Sequence, residues 1–224
     1  WIYAEETLPA NLDIEFVTII NGGYNGLTFN GTSTGNISNC NFIFNQYGIQ
    51  IMDQSNISVK NSNFIHNDEY GFAVRGTLAS YDVSHSNFWE NAAGDCGYNE
   101  NCWGLSWVPL ELEGLGLIEN NPLFLNLDTW DFGYEEYSPC IDAGDPSEMD
   151  PDGSRRDIGA RWFGDETQTG DCNADSIQNV LDIVFMINNC ILGDDTECGC
   201  GDLNQDNVVN VLDVVLLVNI ILGS

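Results

Sequence analysis

Asn39-Cys-Asn-Phe-Ile-Phe-Asn45 is matched by Asn61-Ser-Asn-Phe-Ile-His-Asn67 and again by His85-Ser-Asn-Phe-Trp-Glu-Asn91. The closing asparagines Asn45, Asn67 and Asn91 stand 22 and 24 residues apart, and Asn21 lies another 24 upstream. Of these, Asn21, Asn45 and Asn67 are each followed by a glycine and an alternating stretch: Gly26-Leu-Thr-Phe, Gly48-Ile-Gln-Ile and Gly71-Phe-Ala-Val. A short strand-like piece containing Ile37, Val59 or Val83 precedes each phenylalanine. A period of roughly 20–30 residues, made of short alternating strands and Asn/Gly turns, is the signature of a solenoid. Helical repeats of that length would space apolar residues at about 3.6 and carry few glycines, and this stretch does neither. The pattern predicts coils that bury Phe42, Phe64 and Phe88 above one another, beside Ile37, Val59 and Val83. The asparagine ladder is expected at a turn, where an amide can bond its own backbone and the neighbouring coil.

These residues resemble the right-handed parallel β-helix of pectate-lyase-like proteins, whose coils have this length and internal asparagine ladders. Asn121-Pro-Leu-Phe-Leu, Ser138-Pro-Cys-Ile-Asp-Ala-Gly-Asp-Pro146 and Asp150-Pro-Asp-Gly-Ser-Arg-Arg-Asp-Ile-Gly-Ala160 look like the C-terminal capping region of secreted bacterial β-helix proteins. The resemblance spans about residues 10–162 and implies an architecture; a fold does not specify an activity. β-Helix enzymes that cleave acidic polysaccharides work on the outward positions of one strand stack. Hydrolases need clustered carboxylates there, and lyases of this type use calcium with a Lys or Arg base. One stack reads outward as Thr28, Gln50 and Ala73, then Asn30, Met52 and Arg75, with no two acids facing each other. Lys60 and Arg75 are the basic residues of the coils, and neither has a pair of Asp ligands beside it in the ladder. His66 and His85 fall on different ladder positions and read as structural or solvated, and Arg155 and Arg156 are expected to pair with Asp150, Asp152 or Asp157. The coils read as non-catalytic, and no catalytic residue is assigned.

A second repeat lies near the C-terminus. Gly170-Asp-Cys-Asn-Ala-Asp-Ser-Ile-Gln-Asn-Val-Leu-Asp182 and Gly201-Asp-Leu-Asn-Gln-Asp-Asn-Val-Val-Asn-Val-Leu-Asp213 begin their loops 31 residues apart, and each leads into an apolar run. Side-chain oxygens stand at loop positions 1, 3, 5, 9 and 12. That all-oxygen set suits a hard cation such as Ca²⁺, supplied as in an EF-hand by a twelve-residue loop before a helix. The pair resembles a type I dockerin, the calcium-dependent module that plugs into cohesin domains. The resemblance implies two Ca²⁺ sites: Asp171, Asn173, Asp175, Asn179 and Asp182, then Asp202, Asn204, Asp206, Asn210 and Asp213. Position 6 departs from the usual Gly, with Ser176 in one loop and Asn207 in the other, and position 8 is Gln178 against Val209. Ser tolerates a positive φ less well than Asn, so the first site is expected to be the weaker.

The runs Val180 to Leu192 and Val211 to Leu222 are apolar around almost their whole circumference. A module of about 55 residues can hide one stripe per helix, so the surplus must face something else. Dockerin positions 10 and 11, which begin the recognition helix, correspond to Val180-Leu181 and Val211-Leu212, a repeated contact pair that suggests a pseudo-twofold surface. The implied partner is a cohesin-like protein or another copy of the chain; packing on the chain's own β-helix is the plainer alternative.

Composition narrows the setting. Five Lys and Arg stand against 35 Asp and Glu, a formal charge of −30 in 224 residues, which argues against nucleic-acid and anionic-membrane partners. Eight cysteines with no C-x-x-C pair point to disulfides in an oxidising compartment. Cys96 and Cys102 are expected to close a small loop, Cys40 to sit inward as a free thiol, and Cys198 and Cys200 to take Cys172 and Cys190 as mates in an order the spacing leaves open. No segment approaches the roughly 20 apolar residues of a membrane span. The start at Trp1 without a signal peptide reads as a processed or truncated piece, and secretion is the expected localisation.

The chain is therefore expected to be mainly β: a right-handed parallel β-helix over residues 1–162, a linker over 163–169, and a small α-helical tandem calcium-loop module over 170–224. The expected function is non-catalytic extracellular assembly through the dockerin-like module, with end-to-end stacking of exposed coil edges into fibres as a variant. The alternative is a fragment of a polysaccharide-active β-helix enzyme tethered by its dockerin, which makes a polysaccharide a further candidate partner.

Overall fold

The structure is a computed structural model; its described residues are 2–4 (as backbone), 10–101, 106–164, 170–172, 178–193, 198–204, 206 and 208–222. The chain divides into two compact units, Trp1–Phe163 and Gly164–Ser224.

In the first unit, β1 (Ile2–Ala4) precedes four coils of three strands each. The first coil is β2 (Asn11–Glu15), β3 (Thr18–Ile20) and β4 (Asn25–Gly31), and the second is β5 (Thr34–Ser38), β6 (Asn41–Ile43) and β7 (Tyr47–Met52). The third is β8 (Asn56–Lys60), β9 (Asn63–Ile65) and β10 (Tyr70–Arg75), and the fourth β11 (Ser80–Ser84), β12 (Asn87–Trp89) and β13 (Gly94–Asn99). Equivalent strands of successive coils pair in parallel, so three sheets run along the solenoid: β1-β4-β7-β10-β13, β2-β5-β8-β11 and β3-β6-β9-β12.

The three-residue strands exist because the chain turns sharply on both sides of each. Phe16, Asn39, Asn61 and His85 form one column of left-handed residues, and Asn21, Phe44, His66 and Glu90 the other, all with φ between 43° and 56°. A non-glycine residue in this region costs on the order of 1–3 kcal/mol and persists only where its surroundings enforce it. Here the inter-coil ladder continues through the corner: Asn39 N–H donates to the Lys60 carbonyl (3.2 Å), Phe44 N–H to Ile65 (3.2 Å) and His66 N–H to Trp89 (3.0 Å).

Buried amides bind the corners together. Asn45 N–H donates to Asn67 Oδ1 (3.1 Å) and Asn67 N–H to Asn91 Oδ1 (3.2 Å), while Asn67 Nδ2 reaches both Asn91 Oδ1 (2.7 Å) and the Phe42 carbonyl (3.1 Å). The expected fourth member is displaced. Thr18 pairs with Asn41, which puts Gly22 rather than Asn21 beside Asn45; Gly22 N–H donates to Asn45 Oδ1 (2.9 Å), and Asn21 occupies the left-handed corner. Two further ladders run alongside. Asn87 Nδ2 donates to Asn63 Oδ1 (3.1 Å) and Asn63 Nδ2 to Asn41 Oδ1 (3.0 Å), and the hydroxyls of Ser62 and Ser86 accept from the N–H groups of Cys40 and Ser62 (3.2 Å each).

The interior is the expected stack. Phe42, Phe64 and Phe88 lie ring on ring at 5.1 and 4.6 Å, and Ile37, Val59 and Val83 are in register beside them. Close stacking dictates Gly48: a Cβ there would stand 2.4 Å from the Gly71 carbonyl oxygen and 2.8 Å from the Phe64 ring. Cys40 is a buried free thiol as expected. Cys96 does not close a loop; it is also a free thiol buried in the core, facing Phe72 across the sheet, and Cys102 lies outside the described residues.

The segment expected to cap the solenoid lies along its flank instead. Strands β14 (Val108–Pro109), β15 (Phe124–Asn126) and β16 (Asp131–Tyr134) follow the last coil. It is residues 110–118 that close the end: His85 N–H donates to Leu115, Phe88 N–H to Ile118, and Leu110 N–H to Cys96. Phe124, Phe132, Tyr134, Cys140 and Ile158 then pack over Ile43 and Ile65 on the outer face of the β3-β6-β9-β12 sheet. Asn63 Nδ2 donates to the Tyr134 hydroxyl (2.9 Å) and the Ile158 carbonyl (3.2 Å), and burial raises the Tyr134 phenol well above its usual range. Lys60 pairs with Glu148, and Arg156 pairs with Asp150 (2.9 Å) and lies over Phe16. Arg155, expected to pair with an Asp, donates to the carbonyls of Ala143 and Gly144. The physical reason is the sheet's own alternation, which turns Ile43, Ile65 and the Asn41 ladder outward and leaves them to be covered.

Replacing Asn67 by Ala leaves the Asn45 N–H buried without its acceptor and removes a side-chain bond to the Phe42 carbonyl, and is expected to destabilise the unit by about 2 kcal/mol in urea unfolding. A loss below about 1 kcal/mol would show that water can replace the ladder. The buried Asp157 carboxyl is pushed up to about 6, chiefly by burial, against N–H bonds from Asp142 and Phe163. The folded state therefore keeps a proton that the unfolded chain releases, so stability should fall as pH rises from about 4 to about 6 and level off above. Asp157→Asn should reduce that slope in urea titrations across this window, leaving the part that comes from Asp95, whose carboxyl is also pushed up to about 6; an unaltered slope would place the titration elsewhere.

Candidate functional site

In the second unit, α1 (Val180–Phe185) begins at Asn179, whose side chain accepts from Leu181 N–H (2.8 Å), while Asp182 accepts from Asn179 N–H (2.7 Å) in a capping box. The second helix, α2 (Val211–Leu222), begins the same way: Asn210 Oδ1 accepts from Leu212 N–H (2.9 Å) and Asp213 Oδ2 from Asn210 N–H (2.8 Å). The other oxygen of each aspartate reaches the start of its loop. Asp182 Oδ1 accepts from Cys172 N–H (2.9 Å), and Asp213 Oδ1 from Leu203 and Asn204 (3.1 and 3.2 Å). Both carboxylates are fully buried. Each ties loop entrance to helix start, and the sequence repeat becomes a repeat of geometry.

The ligand residues predicted for the first loop are only partly placed. Asp171 is buried, Asn179 and Asp182 cap α1, and Asn173 and Asp175 lie outside the described residues, as do Ser176 and Asn207. In the second loop, Asp206 N–H donates to both Asp202 Oδ1 (3.1 Å) and Asn204 Oδ1 (2.9 Å), so these oxygens converge on one point. Asn204 Nδ2 also reaches Asp206 Oδ2 (2.9 Å). Asp213 spends three of the roughly four acceptor positions of a carboxylate on backbone N–H groups, leaving one. The donor set is oxygen throughout and fits a hard cation. Among the described residues, no three Asp, Glu, His or Cys side chains are gathered as a metal cluster.

The module's interior is small. Among the described residues Cys172, Met186 and Leu217 form its buried apolar cluster, with Ile183, Phe185, Leu203, Val209, Val214 and Ile221 packed partly against them. Gly201 allows this, since a Cβ there would lie 2.8 Å from Met186 Sδ. Two disulfides staple it, Cys172–Cys200 and Cys190–Cys198, joining the four cysteines expected to pair. The first helix departs from a uniform α-helix: from Met186 to Ile191 it widens into a π-helix, with Leu192 N–H donating to Ile187 (2.9 Å). Asn189 Nδ2 donates to the Phe185 carbonyl (3.1 Å), a side-chain bond at the transition from α- to π-helix. The four predicted contact residues are largely exposed: Val180 62%, Leu181 56%, Val211 66% and Leu212 60%. Val184 and its equivalent Val215 are exposed beside them.

On the solenoid, the stack read as outward holds its register, Thr28 beside Gln50 beside Ala73 and Met52 beside Arg75, but those side chains are buried. Trp107 packs against Tyr47, Tyr70 and Ala73, and the Arg75 guanidinium lies 4.7 Å over its ring. His66 stacks on Phe44 (5.4 Å) beside Glu90, and His85 is buried at the other corner column. An acidic pair does occur elsewhere. Asp95 on β13 and Glu119 line the same cavity, and burial followed by the charge of Glu119 pushes the Asp95 carboxyl up to about 6. Glu119 lies in a non-repeating segment, so no spacing in the sequence signals the pair.

The family model described as "Right handed beta helix region" matches residues 2–102. No curated protein and no solved structure matches the chain. The match ends close to the last strand of the fourth coil, β13, and agrees with the parallel register of its three sheets. The first unit is a right-handed parallel β-helix.

Proposed function

We propose that the protein is an extracellular assembly component, in which the β-helix is a rigid body and the C-terminal unit is a calcium-dependent docking module for a cohesin-like protein. The observation that carries this reading is the repeated exposed apolar pair, Val180-Leu181 and Val211-Leu212, with Val184 and Val215 one turn on. Exposed apolar groups repeated at equivalent positions on two helices favour association over solvation. Two disulfides agree with an oxidising, extracellular setting.

In this reading Asp171, Asn173, Asp175, Asn179 and Asp182 would hold one Ca²⁺, and Asp202, Asn204, Asp206, Asn210 and Asp213 the other. When bound, the cation offsets carboxylate repulsion within each loop. Asp182 and Asp213 clamp each loop to its helix, which holds the Val-Leu pair at the first turn. The small core supports this role, because it leaves Val180, Leu181, Val184, Val211, Leu212 and Val215 exposed on the helix faces for a partner.

Chelation with EDTA should lower the thermal transition of the C-terminal unit and leave that of the β-helix in place; an unchanged melting profile would remove calcium from this account. Leu181→Asp combined with Leu212→Asp should abolish capture of a cohesin-like domain while calorimetry still detects Ca²⁺ uptake. Undiminished capture would place the interface elsewhere, and concentration-dependent self-association lost in the same variant would identify a second copy as the partner.

A further inference from the structure

The closing segment of the β-helix leaves a cavity of about 470 Å³ where the last coil meets residues 109–119. Its walls are Phe88, the end of the phenylalanine stack, with Leu110, Leu112, Leu117 and Ile118. Its polar groups are the carboxyls of Asp95, Glu111 and Glu119, and none of the described residues lining it is basic. Phe88 and Cys96 form a buried floor, whereas Glu111 and Glu119 are exposed, so the acids stand at the mouth and the apolar groups within. A volume in the range of small-molecule sites, roughly 300–1,000 Å³, combined with an apolar wall and a few convergent polar groups, describes a ligand pocket.

We propose that this cavity binds a small organic cation, an amine with an apolar body, whose ammonium group sits between Asp95 and Glu119 while its carbon chain lies along Leu110, Leu112 and Phe88. The acids select the charge. Two carboxyls lining one cavity repel each other when ionised, and an ammonium group with three donors between them offsets that repulsion and satisfies both. A hard cation would gain nothing from the leucine and phenylalanine walls and prefers six to eight oxygens. Burial and Glu119 raise the Asp95 carboxyl to about 6. Glu119, Glu111, the Asn91 amide and the Cys96 thiol are the groups around it, and burial and the Asp95 charge push that thiol up to about 12. An amine stays protonated throughout this range, so binding should strengthen as pH rises through the Asp95 titration.

Hexylammonium is a suitable probe, with hexanol and Ca²⁺ as controls, on the full chain by isothermal titration calorimetry. Saturable hexylammonium binding is expected, at least about tenfold tighter at pH of about 7.5 than at about 4.5, with hexanol at least about tenfold weaker. Asp95→Asn with Glu119→Gln should abolish the preference for the amine, and Leu112→Trp, which fills the cavity and keeps the acids, should abolish binding of both. No saturable binding, equal binding of hexanol, or displacement by Ca²⁺ would overturn the proposal. So would unaltered binding in the double variant when circular dichroism shows both variants folded.

Discussion

Side-chain amides that complete the backbone hydrogen bonding at the corners hold this solenoid together. A parallel sheet satisfies its own N–H and C=O groups only while the strands run straight, and here each straight run on one side lasts three residues. At each of these corners the left-handed residue keeps its bond to the next coil, but the N–H group that follows it needs a side-chain partner. Asn45, Asn67 and Asn91 supply them, each side chain bonding the backbone of the coil before its own. Because every amide both accepts and donates, the ladder propagates register: a coil slipped by one residue would bring Phe44, His66 or Glu90 to the place where an amide is required.

The same alternation that fills the interior creates surplus surface outside. Phe42, Phe64 and Phe88 point inward, so Ile43, Ile65 and the Asn41-Asn63-Asn87 ladder point outward, and the 120–160 segment exists to cover them. Its Tyr134 hydroxyl bonds Asn63 and Ile158 at once, which makes the flank part of the ladder. The opposite solution is seen in the C-terminal unit. There the apolar faces of both helices stay exposed, and fully buried aspartates and two disulfides do the holding that a core would do in a larger domain.

Much of this was legible in the sequence. The repeated Asn-x-Asn-Phe motif dictated coil length, the inward stack and the polar ladder, because period and alternation are properties of local order. The duplicated loops likewise revealed which residues begin each C-terminal helix, since capping is local. Asn21 shows the limit: spacing alone placed it in the ladder, yet a one-residue offset in pairing handed the place to Gly22. Cys96 shows another, where proximity in sequence suggested a disulfide and inward orientation in β13 made it a core thiol. The supposed outward stack is buried, and at Ala73 and Arg75 no periodicity could reveal this because the Trp107 that packs there comes from outside the repeat.

The sequence by itself determined that the first part of the chain is a β-solenoid with stacked phenylalanines and that four cysteines near the C-terminus pair among themselves. Those follow from repeats and short-range spacing. Only the tertiary structure decided what covers the solenoid's outer faces, that residues 110–118 close its end, and that Asp95 meets Glu119 at the mouth of a cavity. Each of these joins a repeating segment to a non-repeating one. A loop has no period, so its place is set by the surface it buries, and that surface exists only once the coils have stacked.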